Sequence, residues 1–385
     1  MLHVFHLSHW KEIYMKLKKK YITIRRSKKF LFPVLSIIFA LLISALIIEI
    51  ISGNSLFAIE CLIKGGFGGV NALAETLVKS TSLIFMALSF AFSQRSGMYN
   101  LGGMGQFYIG AILGGWVGTS IPNLTTNVHI PLMLLCGFIG GALYALIPAL
   151  LKLFLNANEL ISTIMFNSVA LQILSYAVSG PMKDPNSLNN ASQSRLMMDS
   201  VKLHVLVKGT RLHIGFLFAL IALTIFWFFY SKTSRGYEIR IVGMSAQVAQ
   251  YAGMNIRSNR IITMIIGGGL AGIGGCIELM SVQSRLVQGF SSELSFQGIS
   301  VALLGDCSPI GILLSSILFG ALNSGAKRMQ MLAEVPISVI DIAQSLMILF
   351  LAGSEVFKHK DLFIRGFSSS IISRLSNRTS HERTN

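Results

Sequence analysis

Lys79, Glu159, Asp306 and Asp341 are ionisable side chains set within or at the edge of long apolar runs. A charge at the centre of a bilayer costs about 2.5 to 3.5 kcal/mol on insertion scales, so such groups face a bundle interior or a wet path. Glu159 and Asp306 fall near run ends, where water or a backbone amide can satisfy them, and a structural role suits them better than solute contact. Lys79 and Asp341 lie deeper, and two uses stand open: pairing with each other, or lining a pathway. Asn100, Gln106 and Asn167 supply uncharged polar groups suited to a neutral polar solute, and equally to bonding neighbouring helices. Bond-making chemistry has no such candidates. The chain contains no G x x x x G K followed by Ser or Thr, no H E x x H and no nucleophile elbow. Gly267, Gly269 and Gly272 satisfy G x G x x G, but inside an apolar run with no preceding strand, which suits close helix packing rather than a dinucleotide. His3, His6 and His9 lack further ligands, and Cys61, Cys136, Cys276 and Cys307 form no C x x C pair. No catalytic residue and no metal is assigned.

The elements that must position these residues are membrane spans. Only 12% of the 385 residues are charged and 52% are hydrophobic, where soluble domains carry about 25% charged residues. We expect an all-α, polytopic integral membrane protein. A spanning helix needs about 20 mainly apolar residues, and runs of that kind cover 31–52, 76–93, 99–120, 130–153, 159–180, 212–231, 260–281, 292–306, 309–326 and 335–353. That is about ten spans, of which the eighth is short and polar and reads as broken or re-entrant, a form tolerated where backbone is buried in protein or lines a cavity. The net charge of +16 sits in flanks and loops, which fits membrane orientation and not nucleic acid. Residues 1–29 form a basic segment with Glu12 as its one acid, which places the N-terminus in the cytoplasm, resting on anionic lipid. The run that follows is longer than the apolar core of a secretory signal and reads as a retained span. Ten crossings return the basic tail 354–385 to the cytoplasm and leave 181–211 as the largest external loop within a transmembrane domain, 30–353. That loop has a modest basic excess, which mildly opposes the charge rule. Glycines clustered at 114–118, 137–141 and 267–275 imply close helix packing. Spans two to five and seven to ten could form an inverted repeat, with Asn100 to Gln106 and Ser300 to Asp306 as broken polar segments near a pathway and Asn167 beside them.

Between the sixth and seventh spans, within a cytoplasmic loop at 232–259, Gly236 to Met254 is polar and helix-compatible. Ile241, Met244, Val248, Tyr251 and Ala252 recur at helical spacing, with Arg240, Gln247 and Gln250 elsewhere. A short amphipathic helix follows, too short to stand alone in water. Lying in the headgroup region and docking a soluble partner are both open on periodicity alone.

Four blocks in order resemble the permease subunits of bacterial ATP-binding-cassette importers, in the branch serving branched-chain amino acids, simple sugars and nucleosides. Tyr99 to Gln106, Y N L G G M G Q, looks like that family's N I G x E G Q. Asn158 to Asn167, N E L I S T I M F N, is followed by Y A V S G P M K D P to Pro185. R I V G M S A Q V A Q Y A G M from Arg240 is similar to R A V G x N x x A A x Y A G I, and V A L L G D C S P I G from Val301 completes the set with Val335, Pro336 and the run from Gln344. The second block most resembles the nucleoside branch. Met104 replaces the usual Glu and Ser245 the usual Asn.

The resemblance implies a permease that moves a nucleoside or related simple sugar across the bacterial inner or plasma membrane and is not itself an enzyme. It carries no cofactor; ATP and Mg would bind a partner cytoplasmic ATPase. A second permease subunit, a related but different chain, and an extracytoplasmic substrate-binding protein complete the expected assembly. Arg240, Ile241, Gly243, Met244, Val248, Tyr251 and Gly253 would couple to the ATPase, and Asn100, Gln106, Asn167, Ser300 and Asp306 are the pathway candidates. The rival class is an ion-gradient-driven secondary transporter of a small polar solute, with Lys79, Glu159 and Asp341 as its relay.

Overall fold

A computed structural model of the chain describes residues 35–51, 53–122, 124–185 and 192–350. The basic N-terminal segment with its three histidines, and the basic tail, lie outside the described residues. The described chain is helical; it has no strand, only the isolated bridges Lys183–Ser194, Gln193–Val287 and Val205–His213.

The chain divides into two compact units. The smaller contains α1 (Leu35–Ile51) and α13 (Ser338–Phe350). Ala40, Ile48, Ala343 and Met347 are buried there, and the rings of Phe39 and Phe350 lie 6.2 Å apart. Asp341 belongs to α13, where its carbonyl accepts from Ser345 Oγ at 2.8 Å.

The larger unit contains α2 (Ser55–Phe67), α3 (Val70–Gln94), α4 (Gly103–Ser120), α5 (Thr126–Leu155), α6 (Glu159–Ser179), α7 (Gly215–Lys232), α8 (Ser234–Met244), α9 (Ala246–Tyr251), α10 (Ile256–Glu278), α11 (Leu294–Leu304) and α12 (Pro309–Ala333). Side chains start several of these helices. Asn158 accepts from Leu160 N and Ile161 N at the head of α6, Asn255 from Ser258 N before α10, and Ser308 from Gly311 N before α12, where Pro309 takes the first turn. Each such cap contributes about 1 kcal/mol.

Six helices among the described residues are long and apolar enough to cross a membrane: α3, α5, α6, α7, α10 (with the π-turn that follows it) and α12. Helices α1 and α13 are apolar but shorter, and α11 has 11 residues, too few for a full crossing. The expected eighth span is thus a short helix, entered from the irregular stretch 284–293. Helix α2 was not foreseen, and α3 and α12 run longer than their apolar runs at 76–93 and 309–326.

Helix α3 is the central pillar, with 89% of its apolar window buried, whereas α6, at 28%, turns Ile161, Met165 and Tyr176 outward. Long helices with apolar outer faces bury their polar seams inside, as lipid requires. Helix α10 packs along α5, α3 and α4, and glycine permits the approach. A Cβ on Gly141 would stand 2.1 Å from Gly268 O, and one on Gly272 would stand 2.1 Å from Gly137 O. Cys276 fills the same seam, and all four cysteines are unpaired thiols.

Candidate functional site

The polar island does not form one helix. Ser245 is extended, at φ −159, and its hydroxyl accepts from Val248 N, which ends α8 and starts α9. The apolar spacing across the island therefore spans a corner. Ile239, Val242 and Ala249 face inward, while Met244 is 83% exposed, Val248 58% and Tyr251 95%. Arg240 is exposed with its guanidinium over the Tyr237 ring, and Ile241 is half-buried. Gly253 adopts φ +74 in the turn after α9.

Gly243 is exposed, and the direction in which a side chain would leave it points at the body of the unit. A Cβ there would lie 2.2 Å from Arg95 O, in the turn that closes α3. That turn is a junction. Arg95 Nη2 donates to Cys307 O at 2.9 Å, its guanidinium sits 6.0 Å from the Tyr230 ring centroid, and Ser96 Oγ meets Thr263 Oγ1 at 2.7 Å. Tyr230 Oη in turn donates to Phe92 O at 3.0 Å. Helices α3, α7, α8 and α10 and the α11–α12 turn thus converge on residues 95–97. Asp306, exposed, and Cys307 both take left-handed conformations in that α11–α12 turn, at φ 51 and φ 47. Arg95 was missed from the sequence because it lies two residues beyond an apolar run.

Asn100, Gln106 and Asn167 come together, but around the entry to α4. Asn100 Nδ2 donates to Gln106 Oε1 at 2.8 Å and Gln106 Nε2 donates to Asn100 Oδ1 at 3.0 Å, a reciprocal amide pair in which each residue is 1% exposed. Asn100 Oδ1 also accepts from Gly102 N. Asn167, from α6, accepts from Gly105 N and donates to Leu101 O, both at 2.8 Å. These amides hold the irregular segment 99–102 in place, the second of the two uses open to them. Ser300 lies on α11, with its hydroxyl donating to Phe296 O.

Glu159 pairs with Lys152 across the α5–α6 turn at 2.7 Å, the structural role expected for it. Deeper in the unit, the buried Glu278 accepts from Ser82 Oγ at 2.5 Å and from Ser291 Oγ at 3.0 Å, just where α10 passes into a π-turn at Leu279–Gln283. Opposite the α8–α9 end, the loop before α7 buries His213. Its Nδ1 accepts from Gly215 N, its Nε2 has no hydrogen-bond partner among the described residues, and burial together with Arg211 lowers its pKa to about 4. Segment 192–201 is bound to the chain after the π-turn through Ser194 N to Leu286 O and Met197 N to Ser284 O, both 2.9 Å. No group of three metal-ligating side chains occurs among the described residues.

Long apolar helices around buried polar seams define a multi-pass α-helical membrane protein. The chain belongs to the family described as the permease component of the branched-chain amino acid transport system, which matches residues 72–352. Among its relatives, the guanosine ABC transporter permease protein of Bacillus subtilis is 35% identical over 87% of this chain and 96% of its own length. The nucleoside ABC transporter permease protein of Lactococcus lactis is 32% identical over 85% of this chain and 92% of its own length. The glucose ABC transporter permease protein of Haloferax volcanii is 30% identical over 85% and 88%. No solved structure matches the chain.

Proposed function

We propose that the chain is the membrane-spanning permease of an ATP-binding-cassette importer that carries nucleosides, with simple sugars as the related class. The substrate class rests on the relatives named for guanosine and nucleosides. The coupling role rests on one observation: Met244, Val248 and Tyr251 stand exposed on a short polar helix pair. Such an apolar group outside a span is suited to a protein groove, as in helix-in-groove recognition. Arg240 would add a charge at the rim.

In this reading α8 and α9 face the cytoplasm and seat on an ATPase that holds ATP and Mg. Both termini are cytoplasmic, 181–211 is external and meets a binding protein, and ten crossings include α1, α13 and a short, broken crossing that contains α11. Exposed Glu293 and Lys327, on or beside helices of the membrane domain, favour a second permease or a wet channel as neighbour, since charge against lipid is costly. ATP acts by binding one arrangement of the helices better than another, because a ligand moves an equilibrium only through differential affinity.

The test is the double variant Met244→Asp, Tyr251→Asp, whose sites are exposed and leave the packed faces of α8 and α9 untouched. The ATPase should no longer copurify while the permease remains in the membrane. Retention of the ATPase at the wild-type ratio would overturn the docking assignment.

A further inference from the structure

Three helices of the larger unit carry polar side chains at spacings that share a helix face. On α3 these are Glu75, Lys79 and Ser82; on α12, Asn323 and Lys327; along α11, Glu293 just before its first turn, then Gln297 and Ser300. The helices are in contact. A Cβ on Gly320 of α12 would lie 2.4 Å from Ser80 Oγ of α3, and one on Gly298 of α11 would lie 2.4 Å from Met86 Cβ of α3. Gln297 Oε1 accepts from Asn323 Nδ2 at 2.9 Å, joining α11 to α12.

The charges are mutual neighbours. Lys327 is within electrostatic reach of Lys79, Glu75, Arg211 and Glu293, and Arg211 Nη1 stands 3.6 Å from Glu75 Oε1. This group differs from the amide cluster at α4 in openness. Asn100 and Gln106 are sealed, whereas Lys79 and Asn323 are half-buried and Glu293 and Lys327 exposed. Helix α11 begins beside them from irregular backbone, which lipid tolerates only where it is buried in protein or lines a cavity. Lys79 lies 15 residues before Gln94 on α3, so the group is about 22 Å from the α8–α9 end.

We infer that the face shared by α3, α11 and α12 is the solute-holding site, and that it takes an uncharged, hydroxyl-rich solute; the inference rests on the permease reading above. Hydroxyls donate to Glu75 and Glu293 and accept from Lys79, Lys327 and Asn323. A few convergent polar groups of this kind set specificity.

The test uses Asn323→Cys in the full transporter, with its ATPase, second permease and binding protein in proteoliposomes, and the wild-type chain as thiol background. A charged methanethiosulfonate reagent should modify Cys at this position in preference to the background. Guanosine or glucose, whichever the wild-type transporter takes up, should slow that modification, and Lys79→Met should raise the concentration for half-protection about 10-fold, with Lys79→Arg restoring part of the loss. No modification, or no protection by a solute that is taken up, would overturn the site. Uptake that needs ATP without protection sinks the site alone, whereas protection with uptake indifferent to ATP sinks the importer reading alone.

Discussion

His213 shows how a single buried side chain ties folding to pH. Its pKa is held near 4 against an ordinary 6.5 by burial and by Arg211, while its Nδ1 anchors the first turn of α7. Between those values the unfolded chain takes up a proton that the folded chain refuses, so stability rises with pH and falls on acidification, by at most about 1.4 kcal/mol per pH unit. The thermal midpoint of the purified protein should therefore fall as pH drops from 6.5 toward 4. His213→Asn, whose Oδ1 can still accept from Gly215 N, should flatten that slope, and an unchanged slope would show that other groups carry it. None of this was legible in the sequence, where His213 is one histidine at the edge of an apolar run. Asn100, Gln106 and Asn167 were legible as a polar constellation because amides are rare in such runs. Their bonding was not: Asn100 and Gln106 meet through the turn into α4, and Asn167 reaches Gly105 and Leu101 only where α6 crosses α4.

At the scale of elements, apolar runs located the long helices well but misjudged their ends, and for a physical reason. The expected span at 76–93 omitted the turn of α3 carrying Glu75, and the one at 309–326 stopped where Lys327 begins the last turns of α12. Charged residues shorten an apolar window without shortening the helix. Those omitted turns hold Glu75 and Lys327 of the polar face proposed to meet solute. The split of the island at Ser245 was readable in principle, because Ser is a favoured helix cap, but helical spacing continued across it and hid the break. Helix α8 is joined to α3 by contact without side chains, Gly243 against Arg95 O. Gly243→Ala should push α8 off that turn at a cost of about 1 to 3 kcal/mol. Solute moved per ATP hydrolysed should then drop, by roughly 10-fold, while the ATPase still copurifies. An unchanged ratio, read from parallel uptake and phosphate-release assays, would remove residues 95–97 from the coupling route.

For the whole molecule, composition marked a membrane chain, and the four blocks in order carried the resemblance that the family match over residues 72–352 bears out. Orientation and the number of crossings rest on charge and hydropathy, and the described helices that satisfy the length criterion number six. The described geometry places an exposed apolar group at one end of the larger unit and a polar face about 22 Å up α3 from that end, with residues 95–97 touching both α8 and the α11–α12 turn. The central claim is that ATP on a partner drives solute through this chain. The most direct measurement is guanosine uptake by the complete transporter in proteoliposomes, with ATP or ADP on the ATPase side, with and without a protonophore. The account predicts uptake that requires ATP and is unaffected by the protonophore. Uptake that persists with ADP and collapses with the protonophore would contradict it and identify an ion-driven carrier.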